Sequence, residues 1–178
     1  MLSIGNTFPE FKLTAVHNAN RDEAFRDMDH NDYKGQWKIF FFWPKDFTFV
    51  CPTEIVGFGK LHADFLDRNT QLMGASTDSE FVHLAWREHH ADLKDSPFPW
   101  LADIKKELAQ KLGVLDQHSG VANRATFIVD PDNIIRHVSI NDGKVGRNPN
   151  EILRVLDALQ TDELCPCNWK QGEQTITL

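Results

Sequence analysis

Residues 37–43 read WKIFFFW, a continuous apolar run of strand length. A strand with two apolar faces has to be covered on both sides, which is typical of the interior of an α/β sheet. The run therefore predicts a central strand. From Pro52 through Leu66, apolar residues recur at helical spacing, and QLMGAS at 71–76 has the pattern of a second strand. A strand, a helix and a strand in this order predict parallel pairing of the two strands.

Two further helices are expected downstream. One begins near Phe81, with Asp78 and Ser79 as candidate N-caps. The other follows Asn148, which is an N-cap residue before a proline, and Glu151 stands where a capping-box acid would stand. The sequence therefore continues the alternation of helices and strands.

The second half of the chain also contains two strand-like runs, at 124–130 and 133–140. Only a Pro-Asp turn separates them, so we expect an antiparallel hairpin. Residues 17–34 are polar and are expected to form a loop. Residues 161–178 are also polar and are expected to form a tail that docks on another surface. These patterns predict one domain at 1–160 followed by the tail.

Composition narrows the class of protein. A chain of 178 residues with 41% hydrophobic content can bury one substantial core. The net charge of -7 argues against binding to nucleic acid or to an anionic membrane surface. No signal peptide or membrane-spanning run is recognised, which gives a cytoplasmic location by default. The three cysteines are expected to be thiols there, so thiol chemistry is favoured over structural bridging.

Cys51 lies eight residues beyond the apolar strand and directly precedes Pro52, which suits the first position of a helix. A cysteine is most often a small buried hydrophobe. At a helix N-terminus, however, free N–H groups and partial positive charge stabilise a thiolate, which favours a nucleophile. Thr48, three residues upstream, can reach the sulfur or a substrate oxygen with its hydroxyl, and Pro44 can shield the sulfur from water.

Pro44, Thr48 and Cys51 match the P-x-x-x-T-x-x-C signature of the peroxiredoxins, and FFFWPKDFTFVCPTE at 40–54 resembles the typical 2-Cys branch. WPKDFTFVCPTE and DELCPCNW are most similar to the bacterial alkyl hydroperoxide reductases. The resemblance extends over most of the chain and implies a thioredoxin-like fold of peroxiredoxin type. Such a fold has a central mixed sheet flanked by helices, here with an N-terminal extension and a C-terminal tail. Further matching segments are DSEF, HLAWR, GVANRATFIVDP and GRNPNE.

The same resemblance implies roles for distant residues. Cys51 corresponds to the peroxidatic nucleophile, and Thr48 to the residue that hydrogen-bonds sulfur and peroxide. Arg124 corresponds to the cation that stabilises the thiolate and the charge that develops on oxygen. Without the motif, Arg124 would be interpreted as a solvated arginine. Arg147 resembles a second active-site arginine. Glu54 resembles the acid that orients both arginines, although it also suits the first turn of a helix.

ELCPCNW in the tail resembles the segment that carries the resolving cysteine of the family, which places that role on Cys165. The resemblance implies a disulfide with Cys51 of the other subunit in a dimer. Cys167 departs from the commoner pattern, and we interpret it as a backup resolving residue or an exchange point for the reductant. A zinc site at Cys165 and Cys167 is the structural alternative, but no second ligand pair stands at a suitable spacing.

Other candidates are expected to be structural. Trp86 resembles an aromatic residue that flanks the family's site, but packing is the better interpretation. His89 and His90 are adjacent, so they point to different sides of a helix, and we expect solvated residues there. The sequence predicts no metal site and no bound cofactor, because the implied chemistry uses sulfur alone.

The implied activity is thiol-dependent reduction of hydrogen peroxide, alkyl hydroperoxides and peroxynitrite, in antioxidant defence. A homodimer that assembles into a ring is also implied, as a decamer or a dodecamer. The reductant would be a thioredoxin, a flavoprotein disulfide reductase or a dithiol adaptor protein. Two alternatives are a holdase chaperone and a dithiol reductase. The second is disfavoured because no C-x-x-C occurs.

Overall fold

The computed structural model describes residues 2–177 and is organised around a seven-stranded sheet. The strands are β1 Lys12–Val16, β2 Phe25–Asp29, β3 Trp37–Phe42, β4 Thr70–Ser76, β5 Trp100–Ala102, β6 Leu115–Asp116, β7 Val121–Ala122, β8 Arg124–Val129 and β9 Ile135–Asn141. The helices are α1 Cys51–Lys60, α2 His62–Asp67, α3 Glu80–His89, α4 Glu107–Leu112 and α5 Pro149–Thr161. The strand order is β2-β1-β5-β4-β3-β8-β9, and β6 and β7 form a separate pair.

Strand β3 lies inside the sheet, parallel to β4 and antiparallel to β8. Phe40 and Phe42 belong to a hydrophobic cluster that also contains α4. Ile39, Phe41 and Trp43 belong to a second cluster, with α1, α2 and α5. Because alternate side chains enter different clusters, both faces of the strand have to be apolar, with Lys38 near its start as the exception. The predicted central strand, the parallel pairing and the mixed sheet are therefore confirmed.

The predicted hairpin of β8 and β9 is also confirmed. Its connection includes a turn in which the N–H of Asn133 donates to the carbonyl oxygen of Asp130 at 3.0 Å, with Pro131 and Asp132 between them. Proline favours the second position of such a turn. The hairpin places Arg124, the first residue of β8, beyond the end of β3, since Thr126 pairs with Phe41.

The prediction of a loop at 17–34 was wrong, because this segment contains β2, which pairs antiparallel with β1. Phe25 is 37% exposed at one end of β2, and Met28 is its one fully buried side chain. A strand at the edge of a sheet needs little apolar surface, so its sequence lacks the usual alternation. Residues 100–102 form another strand, β5, which was not predicted.

Three details of the helices differ from prediction. The helix expected from Pro52 to Leu66 is divided at Leu61, which is the C-cap of α1 and the N-cap of α2. Ser79 caps α3, accepting a hydrogen bond from the N–H of Val82, whereas Asp78 instead bonds Ser76. Asn148 caps α5 as expected.

The third difference concerns the predicted capping-box acid of α5. Glu151 forms an ion pair with Arg154 at 2.7 Å in place of the capping-box contact. The half-buried Arg154, three residues along the helix, is within reach of the carboxylate and competes for it.

The polar tail docks on the chain's own helix α5. Trp169 is 3% exposed, and its carbonyl oxygen accepts a hydrogen bond from Nη1 of Arg154 at 3.0 Å. Leu164 and Ile176 form a β-bridge that closes the tail into a loop. The tail is thus held by one buried aromatic side chain and a few polar contacts. Across residues 2–177, no helix is long and apolar enough to cross a membrane.

Candidate active site

The end of β3 and the start of α1 bring the candidate nucleophile to the edge of the sheet. Val50 is the N-cap of α1, and Cys51 is its first residue, one position earlier than Pro52 was expected to begin the helix. The Cys51 side chain is fully buried within the cluster that also contains Phe41 and Trp43. The apolar strand and the helix N-terminus therefore meet at the sulfur atom.

The sulfur of Cys51 accepts hydrogen bonds from two directions. The hydroxyl of Thr48 donates to it at 2.9 Å, and Nη1 of Arg124 donates at 3.3 Å. Arg124 is 4% exposed, so the interpretation of a solvated arginine is wrong. A hydroxyl, a guanidinium and the N-terminus of α1 all favour negative charge on the sulfur.

Glu54 lies one helical turn after Cys51 and joins two arginines. Its Oε2 accepts from Nη1 of Arg124 at 2.5 Å, and its Oε1 accepts from Nε of Arg147 at 2.8 Å. The side chains of Glu54 and Arg147 are each 2% exposed. Two guanidinium groups and one carboxylate leave this buried cluster with a net positive charge, which suits a thiolate or an anionic transition state.

Opposing effects set the protonation of the arginines. Burial lowers the pKa of Arg124, but its hydrogen bond to Cys51 and the charge of Glu54 outweigh that effect and raise the pKa above its usual value. For Arg147 burial dominates and lowers the pKa, against the hydrogen bond to Glu54. Arg147 also donates to the carbonyl oxygen of Ala125 at 2.9 Å, which ties it to β8.

The loop that carries Pro44 and Thr48 is fixed by residues that sequence reasoning missed. Asp46 is 7% exposed and accepts from Nε1 of Trp43 at 2.7 Å. Its other oxygen lies 2.7 Å from Nδ1 of His83, which is fully buried. Burial raises the pKa of Asp46, partly offset by His83. Asp46 stands two residues before Thr48 in the sequence, but no local pattern indicated that its partner is His83 on α3.

This loop also carries an unusual backbone conformation. Phe47, which precedes Thr48, has a φ of 55°, in the left-handed region that bulky residues rarely adopt. Such strain persists only where the surrounding structure enforces it. The hydrogen bonds of Asp46 on the buried side provide the enforcement. The Thr48 hydroxyl also lies 2.9 Å from the carbonyl oxygen of Lys45, which is an alternative acceptor for the proton that Thr48 donates to Cys51. Pro44 lies half-buried just beyond β3.

The two tail cysteines lie at the end of α5. Cys165 is half-buried, 3.4 Å from the hydroxyl of Thr161 and 3.8 Å from the carbonyl oxygen of Ala158. Cys167 is exposed. All three cysteines are free, and the recorded contacts of Cys165 are with α5. The structure therefore brings together Thr48, Cys51, Glu54, Arg124 and Arg147, with Pro44 in the same loop, and holds the tail cysteines on a different element.

The remaining candidates are structural. Trp86 is 2% exposed and packs against Trp100 with ring centroids 5.7 Å apart. His89 is exposed, whereas the half-buried His90 ends α3 with its ring 6.3 Å from that of Trp86, so only His89 is solvated as expected. Within residues 2–177, no group of three or more His, Cys, Asp or Glu side chains is placed to hold a metal ion.

We expect Glu54→Gln to lower the free energy of unfolding by about 3–5 kcal/mol, because it leaves two buried guanidinium groups without their counter-charge. Urea unfolding of the reduced protein measures this effect. Glu151→Gln is the matched control, since the Glu151 and Arg154 side chains are 51% and 30% exposed. Its expected cost is below about 1 kcal/mol. Equal losses in the two variants would contradict the buried-cluster account.

Comparison with known proteins agrees with this geometry. The AhpC/TSA family model matches residues 4–138. Alkyl hydroperoxide reductase C of Mycolicibacterium smegmatis is 55% identical, over 99% of this chain and 94% of that protein. A solved structure titled Mycobacterium tuberculosis AhpC superposes with a TM-score of 0.88 at 52% identity, covering 96% of this chain and 99% of that one.

A more distant structure supports the same fold. The reduced 2-Cys peroxiredoxin of Plasmodium vivax has a TM-score of 0.91 at 33% identity, with 98% of this chain and 93% of that chain covered. The expected thioredoxin-like fold of peroxiredoxin type is confirmed by these similarities. The family match and the high identity over nearly the whole chain lead to one conclusion: this protein is a member of the AhpC/TSA family of peroxiredoxins.

Proposed function

We infer that this chain is a thiol-dependent peroxidase that reduces hydrogen peroxide, alkyl hydroperoxides and peroxynitrite in antioxidant defence. One observation carries the inference: the buried Cys51 sulfur is within hydrogen-bonding distance of both Thr48 and Arg124. The thiolate attacks one peroxide oxygen, an S–O bond forms, and the O–O bond breaks. Cys51 becomes a sulfenic acid, and the departing oxygen takes up a proton to leave as water or an alcohol, whereas peroxynitrite releases nitrite.

The neighbouring residues fit this reaction. Thr48 would donate its hydroxyl proton to the sulfur or to peroxide, and Arg124 would stabilise charge on the departing oxygen. Glu54 would hold both guanidinium groups in position, and Arg147 would supply the second positive charge. Pro44 would exclude water from the sulfur. No cofactor is needed in this scheme, because the two electrons come from sulfur.

Resolution of the sulfenic acid requires movement of α1. Cys51 is fully buried in the first turn of α1, whereas a disulfide needs two sulfur atoms at about 2.05 Å. We propose that this turn unwinds and that Cys165 of a second subunit then attacks the sulfenic acid, forming the disulfide and releasing water. Because Cys165 is held by the tail, the tail has to leave α5 for the bond to form.

Cys165→Ser is expected to remove most of the intersubunit disulfide that forms after one equivalent of peroxide, since the attacking thiol is lost. Non-reducing electrophoresis with mass mapping measures the linked species. Cys167→Ser is the control and is expected to leave the Cys51–Cys165 link in place. As a backup resolving residue, Cys167 would still form a minor link to Cys51 in Cys165→Ser. Loss of every link in that variant would refute the backup role.

Resistance to overoxidation is a further expectation. The segment HHADLKDSPFPW at 89–100 lacks the Gly-Gly-Leu-Gly insertion of sensitive eukaryotic peroxiredoxins. This insertion keeps the peroxidatic cysteine folded and delays its disulfide. We therefore expect activity to persist over many turnovers at modest peroxide concentration, with Cys51 recovered as thiol or disulfide. Inactivation within a few turnovers, with sulfinic acid at Cys51, would contradict this expectation.

The assembly and its partners are proposed on family grounds. We propose a homodimer that assembles into a ring, as a decamer or a dodecamer, in the cytoplasm. The catalytic domain would comprise residues 1–160, and 161–178 would act as the tail that carries the resolving cysteine. The reductant would be a thioredoxin, a flavoprotein disulfide reductase or a dithiol adaptor. No membrane or nucleic acid takes part in this scheme.

A stopped-flow peroxide assay with each candidate reductant tests the proposed cycle. We expect hydrogen peroxide to be consumed in proportion to the reductant supplied, with one of the three donors far faster than the others. A protein that consumes no peroxide with any donor, and none stoichiometrically when fully reduced, would overturn the proposed function.

A further inference from the structure

The segment between β9 and α5, residues 142–148, holds two groups of the buried cluster through its backbone. The carbonyl oxygen of Gly143 accepts a hydrogen bond from Nε of Arg124 at 2.9 Å. The backbone N–H of Arg147 donates to Oε1 of Glu54 at 3.0 Å. The orientation of the Arg124 guanidinium and of the Glu54 carboxylate therefore depends on where this segment lies.

Burial does little to define the position of the segment, because residues 142–146 are all exposed. Hydrogen bonds have to define it instead. The N–H of Val145 donates to the carbonyl oxygen of Asp142 at 2.9 Å, and the N–H of Lys144 donates to Oδ1 of Asp142 at 3.0 Å. Both of these bonds lie within the turn. They close it, but they do not attach it to the sheet.

Asn141, the last residue of β9, attaches the turn to the sheet. Its Nδ2 donates to the carbonyl oxygens of Val145 at 3.3 Å and Gly146 at 3.2 Å. An amide nitrogen carries two N–H groups, so both bonds can form at once. Asn141 is also the cross-strand partner of Arg124 in the hairpin, and paired residues project from the same face of a sheet. The side chain that holds the turn is therefore a neighbour of the arginine that the turn orients.

The Gly143 carbonyl differs from the other partners of Arg124 in its place in the fold. Within residues 2–177, the other recorded partners of the Arg124 side chain are Cys51 and Glu54, and both belong to α1. Cys51 moves away when the first turn of α1 unwinds, as proposed above for disulfide formation. The bond to Gly143 can persist through that movement, because β9 and the turn that follows it are separate from α1.

We propose that Asn141 is a positioning residue for peroxide reduction, acting through the Gly143 carbonyl on Arg124. This role rests on the peroxidase function proposed above. The amide of Asn141 holds the turn on β9, and the turn in turn holds the guanidinium in the orientation that places Nη1 at the sulfur. A donor oriented before the reaction stabilises developing charge without a further cost of reorganisation.

The second-order rate constant for the reaction of the whole reduced protein with hydrogen peroxide, measured by stopped flow, tests this role. Asn141→Ala is expected to lower it about tenfold, the effect of losing one positioning hydrogen bond. Asn141→Asp keeps the size of the side chain but removes the N–H donors, so it is expected to lose at least as much. Asn31→Ala, at an exposed position after β2, is the matched control and is expected to leave the rate constant unchanged.

A double-mutant cycle with Arg124→Gln separates positioning from a general loss of structure. With the guanidinium absent, Asn141→Ala has nothing left to misplace and is expected to lower the rate constant by less than about twofold. A tenfold loss in both backgrounds would overturn the role of Asn141, as would an Asn141→Ala protein that reacts as fast as the unmodified one. An unmodified protein that does not react with peroxide would overturn the proposed function itself, and this role with it.

Discussion

Cys51→Ser is expected to lower the second-order rate constant for peroxide reduction by more than about 10⁴-fold, because a serine hydroxyl is not ionised at neutral pH and is a poor nucleophile. The substitution replaces one sulfur by one oxygen at a fully buried position, so the fold should be retained. Stopped-flow consumption of hydrogen peroxide by the reduced protein measures the loss.

Cys167→Ser is the matched control for that loss. It makes the same atomic change at an exposed cysteine and is expected to leave the rate constant for the first oxidation unchanged. Peroxide reduction by Cys51→Ser at a rate within tenfold of the unmodified protein would contradict the assignment of the nucleophile. Equal losses in both variants would point to the tail as the site of first attack.

Arg124→Gln is expected to reduce the same rate constant by about 10²–10³-fold, the usual cost of removing one preorganised donor from a developing charge. Nη1 of Arg124 reaches both the sulfur of Cys51 and the carboxylate of Glu54. Loss of this group removes a hydrogen bond to the thiolate and leaves Glu54 with Arg147 as its one remaining cation. Arg124→Lys keeps the positive charge but lacks the planar guanidinium group. Its rate constant is expected to lie between that of Arg124→Gln and that of the unmodified protein.

Arg136→Gln on β9 is the matched control for Arg124→Gln. Arg136 pairs with Asp130 at 2.6 Å, and its side chain is 46% exposed. Its substitution removes the same charge far from the sulfur and is expected to change the rate constant by less than twofold. A loss in Arg124→Gln no larger than that in Arg136→Gln would contradict a direct role for Arg124.

Local sequence patterns predicted the interior of the fold better than its edge. Trp37–Phe42 is apolar at almost every position because its side chains alternate between two hydrophobic clusters. Strand β2 has the sequence FRDMD and buries one side chain fully, so its pairing with β1 had no hydrophobic signature. The break between α1 and α2 at Leu61 lies inside a continuous helical pattern and follows from packing of the whole chain.

The residues of the candidate site also differ in how well the local sequence predicted them. Cys51, Thr48 and Pro44 lie within eight residues of one another, so their spacing alone indicated a site. Arg124 and Arg147 come from strands and loops distant in sequence, and only the family resemblance identified them. Asp46 and His83 were missed, since their contact joins positions 37 residues apart and requires the loop and α3 to be placed first.

The central claim, that peroxide oxidises Cys51 in this buried pocket, is tested most directly in the Cys165→Ser/Cys167→Ser double variant. With both tail thiols removed, the sulfenic acid cannot be resolved and should accumulate. Mass spectrometry after one equivalent of hydrogen peroxide and trapping with a dimedone-type reagent is expected to place a single adduct on Cys51. Peroxide consumption that leaves Cys51 unmodified, or an adduct at any other residue, would contradict the account.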